Sequence, residues 1–165
     1  MPFDIDFAKE GEIKLHIKKF LLYPVFWNDS NKHIGFNLRW KKIKFTKANA
    51  NKIPSTMGIY CFVVKPKVPN FFEVNYLFYI GQTQRTLAIR YKEYLDDQLG
   101  KGKPRTKVFK MLKQYENNLY FYFTTIGVSA RVDEAEEKLI NIFIPHINAK
   151  ISEATISPEL QYLYE

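Results

Sequence analysis

The sequence predicts an α+β domain: a small sheet covered on both sides, with helices, preceded by a basic, partly β N-terminal extension. Three observations lead there. Gly58–Val64 (Gly-Ile-Tyr-Cys-Phe-Val-Val), residues 76–81 (Tyr-Leu-Phe-Tyr-Ile-Gly) and Leu119–Thr125 (Leu-Tyr-Phe-Tyr-Phe-Thr-Thr) are β-branched and aromatic runs, apolar on both faces as in strands covered from two sides. Segments of helical period separate the second run from the third and follow the third. Hydrophobic residues make up 46% of 165 and aromatics 16%, enough for one domain to bury a sizeable core.

Taken in order, residues 12–17 and 34–40 alternate apolar and polar with period two, the pattern of half-buried strands. Residues 46–56 are polar and aperiodic and read as a linker. The first two runs are joined by residues 65–74, expected to form an extended hairpin loop. In 85–99, Leu87, Tyr91, Tyr94, Leu95 and Gln98 share one side, and in 106–116 Val108, Phe109, Leu112 and Tyr115 do the same. Residues 100–104 separate these helices. A last helix is expected over 133–143, with an acidic first turn suited to the helix dipole and Pro145 as its stop. The chain thus divides into a basic extension (1–52), a domain (53–150) and an acidic tail (151–165) with Glu153, Glu159 and Glu165.

Lys and Arg number 25 against 17 Asp and Glu, a formal charge of +8. The aromatic content excludes a disordered chain, and 7 Gly with 8 Pro exclude a collagen-like or low-complexity one. Cys61 is the one cysteine, so neither an intramolecular disulfide nor a cysteine zinc cage forms. His16, His33 and His146 lack metal-ligand spacing. The start has no signal-peptide pattern, and no apolar run approaches the roughly 18 residues of a membrane span. The expectation is a soluble cytoplasmic protein.

Residues 1–56 hold eleven Lys/Arg against five acids, and Lys101, Lys103, Arg105, Lys107, Lys110 and Lys113 form a second basic cluster. In Arg39-Trp40-Lys41-Lys42-Ile43-Lys44-Phe45 cations alternate with aromatic and apolar residues, as in grooves that track a nucleic-acid backbone and stack its bases. A lysine-rich solvated face explains either cluster singly; two clusters on one small chain favour a polyanion.

On a helical wheel at about 100° per residue from Ala135, Glu136 falls within the arc of Phe143 and Ile140, whereas Glu134 and Glu137 fall outside it. An inward carboxylate needs compensation. A divalent metal or a buried Arg would supply it; snorkelling at the arc's edge, or pairing with a helix cap, is the plainer alternative. Arg90 and Tyr94, four apart, share one flank of their helix, where Arg90 meets either a phosphate or an ion-pair partner such as Asp97. Tyr60 and Tyr79 sit in strands among residues that are all core-like.

The order of these pieces carries a resemblance. Gly58-Ile59-Tyr60, Tyr79-Ile80-Gly81-Gln82-Thr83, Arg90, Glu136-Glu137-Lys138-Leu139-Ile140 and Pro145-His146-Ile147-Asn148 resemble, in sequence order, the motifs of the GIY-YIG nuclease family. The resemblance covers about residues 54–150 and does not reach residues 1–50. It implies a small three-stranded antiparallel sheet flanked by helices and a Mg²⁺ (or Mn²⁺) dependent DNA endonuclease of restriction, mobile-element or defence type. It also implies roles. Tyr79 would activate the attacking water, Tyr60 would orient water or metal-bound groups, and Arg90 would neutralise the phosphate. Tyr94 stands near the scissile group, Glu136 holds the metal, and Asn148 positions backbone or substrate.

Two departures accompany it. Gln82 stands where some members carry a lysine and cannot act as a cation, leaving an unperturbed tyrosine of pKa about 10 only roughly 0.1% ionised at pH 7. Either a nearby cation lowers that pKa, a lysine from 101–113 or from the N-terminal region being one candidate, or the tyrosine relays its proton onward. Eighteen residues, 61–78, separate the two tripeptides, more than in compact members. Gln82, Arg39, Lys41, Lys42, Lys101, Lys103 and Arg105 are the expected DNA contacts, to double-stranded DNA in preference to RNA. One site cuts one strand, so two strands require a homodimer or successive nicks. The rival expectation is a binding module that keeps the fold and lacks cleavage.

Overall fold

A computed structural model describes residues 7–101 and 103–148. The elements are α1 (Phe7–Leu15), α2 (Pro24–Asn28), β1 (Lys41–Lys44), β2 (Gly58–Val64), β3 (Tyr76–Thr83), α3 (Leu87–Gln98), α4 (Thr106–Gln114), β4 (Leu119–Thr125) and α5 (Ser129–Phe143). The expected acidic tail lies outside the described residues.

The architecture is α+β, but the sheet has four antiparallel strands, in the order β1-β4-β2-β3. The three apolar runs form β2, β3 and β4 as expected. The fourth strand comes from the basic segment, where Lys41–Lys44 pairs with residues 120–123 of β4. Its lysines conceal it, because an edge strand needs only one covered face; Lys41 and Lys42 stay in solvent, while Lys44 is half-buried.

β2 is central and buried along its whole length. On one face Tyr60, Phe62, Phe121 and Phe123 pack with Leu87, Tyr91 and Tyr94 of α3, Val108, Met111 and Leu112 of α4, and Phe45. On the other, Ile59, Cys61, Val63 and Ile80 pack against Val132, Ala135 and Ile140 of α5.

The N-terminal expectations change most. Residues 12–15 complete helix α1 rather than a strand; charged helix formers surround its apolar residues, and no sheet edge receives them. Residues 34–40 form no strand either, yet Ile34, Phe36 and Leu38 are half-buried between exposed neighbours and pack on the α5 side of the core. The period-two burial is real; a hydrogen-bonding partner strand is absent there. The expected linker contains a short 3-10 helix, Lys47–Lys52, between two buried residues, Phe45 and Ile53.

The expected loop between the first two runs is present, beginning after Val64 and ending before Tyr76. Lys65, buried at its base, pairs with Glu73 and donates to Tyr122 Oη at 3.2 Å. Thr86 caps α3, accepting from Ile89 N at 3.1 Å. Helix α5 starts at Ser129, four residues before the expected start, so its first turn contains no acid. After Phe143 the chain turns at Ile144 in a left-handed conformation, φ 42°, and Pro145, with no N–H to donate, cannot continue the helix. Among the described residues no helix is long and apolar enough to cross a membrane.

Candidate active site

The two motif glycines are steric requirements. A Cβ on Gly58 would lie 2.1 Å from the Thr124 carbonyl oxygen, and one on Gly81 would lie 2.5 Å from the Tyr60 ring. Gly81 pairs directly with Tyr60 across the β2–β3 ladder, so its missing side chain is the seat of that ring.

A register shift opposite Phe62 and Val63 inserts one extra residue into β3. Phe78 and Tyr79, consecutive in sequence, therefore both join the α3–α4 side of the core, which a regular strand would forbid. The extra residue is Phe78; Tyr79 pairs with Phe62 in the regular part of the ladder and lies beside Tyr60 by ordinary alternation, their ring centroids 6.3 Å apart.

A cleft of about 400 Å³ opens here, lined by Tyr60 of β2, Tyr79 and Gln82 of β3, Arg90 of α3, Arg105 before α4, Glu136 of α5 and Asn148. Seven of the thirteen residues expected at the site are thus brought to one place from separate elements. Tyr94 lies directly behind it: its hydroxyl is 2.8 Å from that of Tyr60. Arg90 joins them, donating from Nε to Tyr60 Oη at 3.1 Å and from Nη2 to Tyr94 Oη at 3.2 Å.

Arg90 is also clamped from outside. Its Nη1 donates to Glu93 Oε2 at 2.8 Å, and Arg85 Nη2 donates to Glu93 Oε1 at 2.7 Å. The ion-pair partner of Arg90 is therefore Glu93, not Asp97. Burial opposes the charge on Arg90, but the Tyr94 and Tyr60 oxygens and Glu93 more than offset it. Burial foremost raises the pKa of Tyr60 and of Tyr94 above the usual phenol value. Both stay protonated at neutral pH and serve as hydrogen-bonding groups, not bases.

Tyr79 has a different partner. Arg105 Nη2 donates to its hydroxyl at 2.8 Å, with the guanidinium 5.5 Å from the ring centre. The cation beside Tyr79 is thus Arg105, a residue expected to touch DNA, and not one of the candidate lysines.

Asn148 is almost wholly buried. Its Oδ1 accepts from Ile80 N and its Nδ2 donates to Ile80 O, both at 2.7 Å. The side-chain amide replaces a neighbouring strand on the free edge of β3, and Ile147 N adds a bond to Phe78 O at 3.0 Å.

Glu136 is half-buried at the border of the apolar face, while Glu134 and Glu137 are exposed. Asp133, one turn earlier, lines the same cleft and accepts from Gln82 Nε2 at 3.2 Å and Gln84 Nε2 at 2.9 Å. Gln82 Oε1 is buried without a hydrogen-bond partner. Among the described residues no three carboxylate, histidine or cysteine side chains converge as a complete metal cage. The residues fit a hard cation that retains most of its waters and takes one or two carboxylates, with Glu136 and Asp133 as donors and the orphaned Gln82 oxygen nearby.

The remaining expected contacts lie elsewhere. Lys103 lines a groove that continues from the cleft past Arg85, Arg90 and Arg105; Lys101 is exposed. Arg39 and Lys41 line a recess on the β1 side with Lys52 and Phe123, and Lys42 pairs with Glu73 at 3.7 Å. β1 and β3 are opposite edges of the sheet, about 14 Å apart at three strand spacings.

Of the residues the sequence did not single out, Glu93 had a signal, its three-residue spacing from Arg90 on a helix. Asp133, likewise three residues before Glu136, had the same. Comparison with known proteins finds no matching family model, no matching curated protein and no matching solved structure.

Proposed function

We propose that the chain is a divalent-metal-dependent endonuclease of the GIY-YIG type that hydrolyses DNA phosphodiester bonds. The observation that carries this reading is the convergence of Tyr60, Tyr79, Arg90, Glu136 and Asn148, scattered over the sequence, on one cleft.

Hydrolysis requires an in-line water, compensation of charge on the phosphate oxygens, and departure of the 3′ oxygen. Arg90, its guanidinium fixed by two phenols and a carboxylate, faces the non-bridging oxygens as charge develops on them. Tyr79 Oη receives the proton of the attacking water as its own passes on to solvent, while the new P–O bond forms and the bond to the 3′ oxygen breaks. Arg105 supports that role, because a guanidinium donating to a phenol oxygen stabilises the charge left when its proton departs. Tyr60 and Tyr94 hold Arg90, and Tyr60, which lines the cleft, orients water through its hydroxyl. Glu136, with Asp133, would hold Mg²⁺ or Mn²⁺, which supplies Lewis-acid compensation of the phosphate and leaving-group charge. Arg39, Lys41, Lys42, Lys101, Lys103 and Gln82 extend the contact to flanking DNA. Each chain has one such site, so cutting both strands takes two copies or two nicks.

The test is nicking of supercoiled plasmid with Mg²⁺ or Mn²⁺. Wild type is expected to nick; Glu136→Ala and Tyr79→Phe are expected to bind DNA and leave it intact. A wild-type chain that binds but never cuts under either metal selects the second reading, a nucleic-acid-binding module. Gln82, engaged with Asp133 instead of presenting a cation, favours that alternative.

A further inference from the structure

A second depression lies beyond the free edge of β3, between residues 16–20, the start of the 65–75 loop and the end of α4. It measures about 610 Å³ and includes Lys18, Phe20, Lys67, Tyr76, Phe78 and Tyr115 in its walls. Through Lys18, Phe78 and Tyr115 it continues into a smaller recess of about 140 Å³ that reaches Lys107, Lys110 and Ile147. The pairs Phe78–Tyr79 and Ile147–Asn148 each place one residue here and the next in the catalytic cleft, so the two spaces adjoin.

Its chemistry is uniform. No described residue lining either recess is an Asp or Glu, whereas four are lysines. Burial, and secondly the charge of Lys110, hold the Lys18 ammonium below the usual amine range. An anion between those lysines would relieve both penalties. The rings are accessible as well: Phe20 is 38% and Tyr76 44% exposed, with centroids 5.9 Å apart, and Phe78 stands 5.5 Å from Phe20.

We propose that this groove binds single-stranded DNA, the unpaired nucleotides next to the bond held in the cleft. Bases stack on Phe20 and Tyr76, and phosphates meet Lys18, Lys67 and Lys110. Half-exposed rings in a basic channel suit unpaired bases, whose faces are free; in a duplex those faces are covered by neighbouring base pairs. Only the position beside a scissile bond rests on the nuclease reading; the groove's ligand does not.

Binding of a labelled oligothymidylate to the full chain, without divalent metal, tests this against a blunt duplex of equal length and against polyglutamate. The oligothymidylate is expected to bind about tenfold more tightly than the duplex. Phe20→Ala with Tyr76→Ala should weaken it at least about fivefold and leave duplex affinity unchanged. Lys67→Gln with Lys110→Gln, both at exposed positions, should reduce its salt dependence. Equal affinity for duplex, indifference to the ring substitutions in chains with wild-type unfolding midpoints, or equal competition by polyglutamate would overturn the proposal. A chain that binds oligothymidylate but never nicks plasmid keeps the groove and loses the nuclease; nicking without oligothymidylate binding does the reverse.

Discussion

The hydroxyls of Tyr60 and Tyr94 lie 2.8 Å apart, and a single guanidinium, that of Arg90, donates to both. Two buried phenols thereby hold a cation at the mouth of the cleft. Neither is free to move: the Tyr60 ring stacks on Phe121 at 5.3 Å, and the Tyr94 ring meets Phe62 edge-on at 4.9 Å.

Tyr94→Phe keeps the packing and removes one oxygen. Tyr60 then loses a partner and Arg90 one of its acceptors. Stability is expected to fall by about 1–3 kcal/mol, read as a lower denaturant midpoint. Plasmid nicking should fall further than stability does, since Arg90 loses its fixed orientation. An unchanged nicking rate would separate Tyr94 from the site.

Gly58→Ala and Gly81→Ala are expected to fail differently. At Gly58 the new methyl meets the Thr124 backbone, which cannot yield without opening the sheet, so the fold is lost or strongly weakened. At Gly81 it meets the Tyr60 ring. The cost there is about 1–3 kcal/mol of overpacking, and the chain folds with the ring displaced and nicking impaired. Thermal unfolding and the nicking assay, run on both variants, check this.

Asn148→Ala strips the Ile80 N–H and C=O of their partners at a buried edge. The expected loss is about 2 kcal/mol or more, with faster hydrogen exchange at the Ile80 amide. Asn148→Asp recovers less than half, because its carboxylate accepts from the N–H but opposes the carbonyl.

Alkaline stability follows from the buried phenols. Burial, partly opposed by a hydrogen bond from Thr46, pushes Tyr91 up to about 12 from the usual 10.0; Tyr60 and Tyr94 are raised as well. A raised folded-state pKa means a contribution that is complete below pH 10 and disappears as pH climbs through the folded value. Unfolding free energy should therefore fall steeply between about pH 10 and 12, with phenolate absorbance appearing as the chain unfolds. Tyr91→Phe should show a shallower decline.

Arg105→Gln addresses the partner of Tyr79. The nicking rate is expected to drop at least about tenfold, and Arg105→Lys should restore part of it. The salt slope of DNA binding should shift by no more than about one phosphate contact. A variant that cuts normally and only binds more weakly would return Arg105 to the backbone-contact class.

The sheet's core, helices α3 and α4 and the half-buried position of Glu136 were legible because they follow local periodicity. β2 is apolar without interruption, and the apolar residues of α3 recur at helical spacing. Strand β1 was not legible, since Lys41-Lys42-Ile43-Lys44 has the composition of a solvated segment and is a strand only because β4 offers an edge. Helix α1 misled in the opposite sense: its alternating apolar residues lacked any sheet to join.

The sequence alone determined which residues are available for chemistry and their order along the chain: two tyrosine-bearing strands, an arginine on a helix, and an inward glutamate. Tertiary structure decided what each one touches. Arg105 reaches a phenol 26 residues away, Asn148 substitutes for a missing strand 68 residues away, and a one-residue bulge adds Phe78 to the same side of the core as Tyr79. Local periodicity fixes only the face on which a side chain lies; contacts between distant elements arise from packing, which no window of the chain contains.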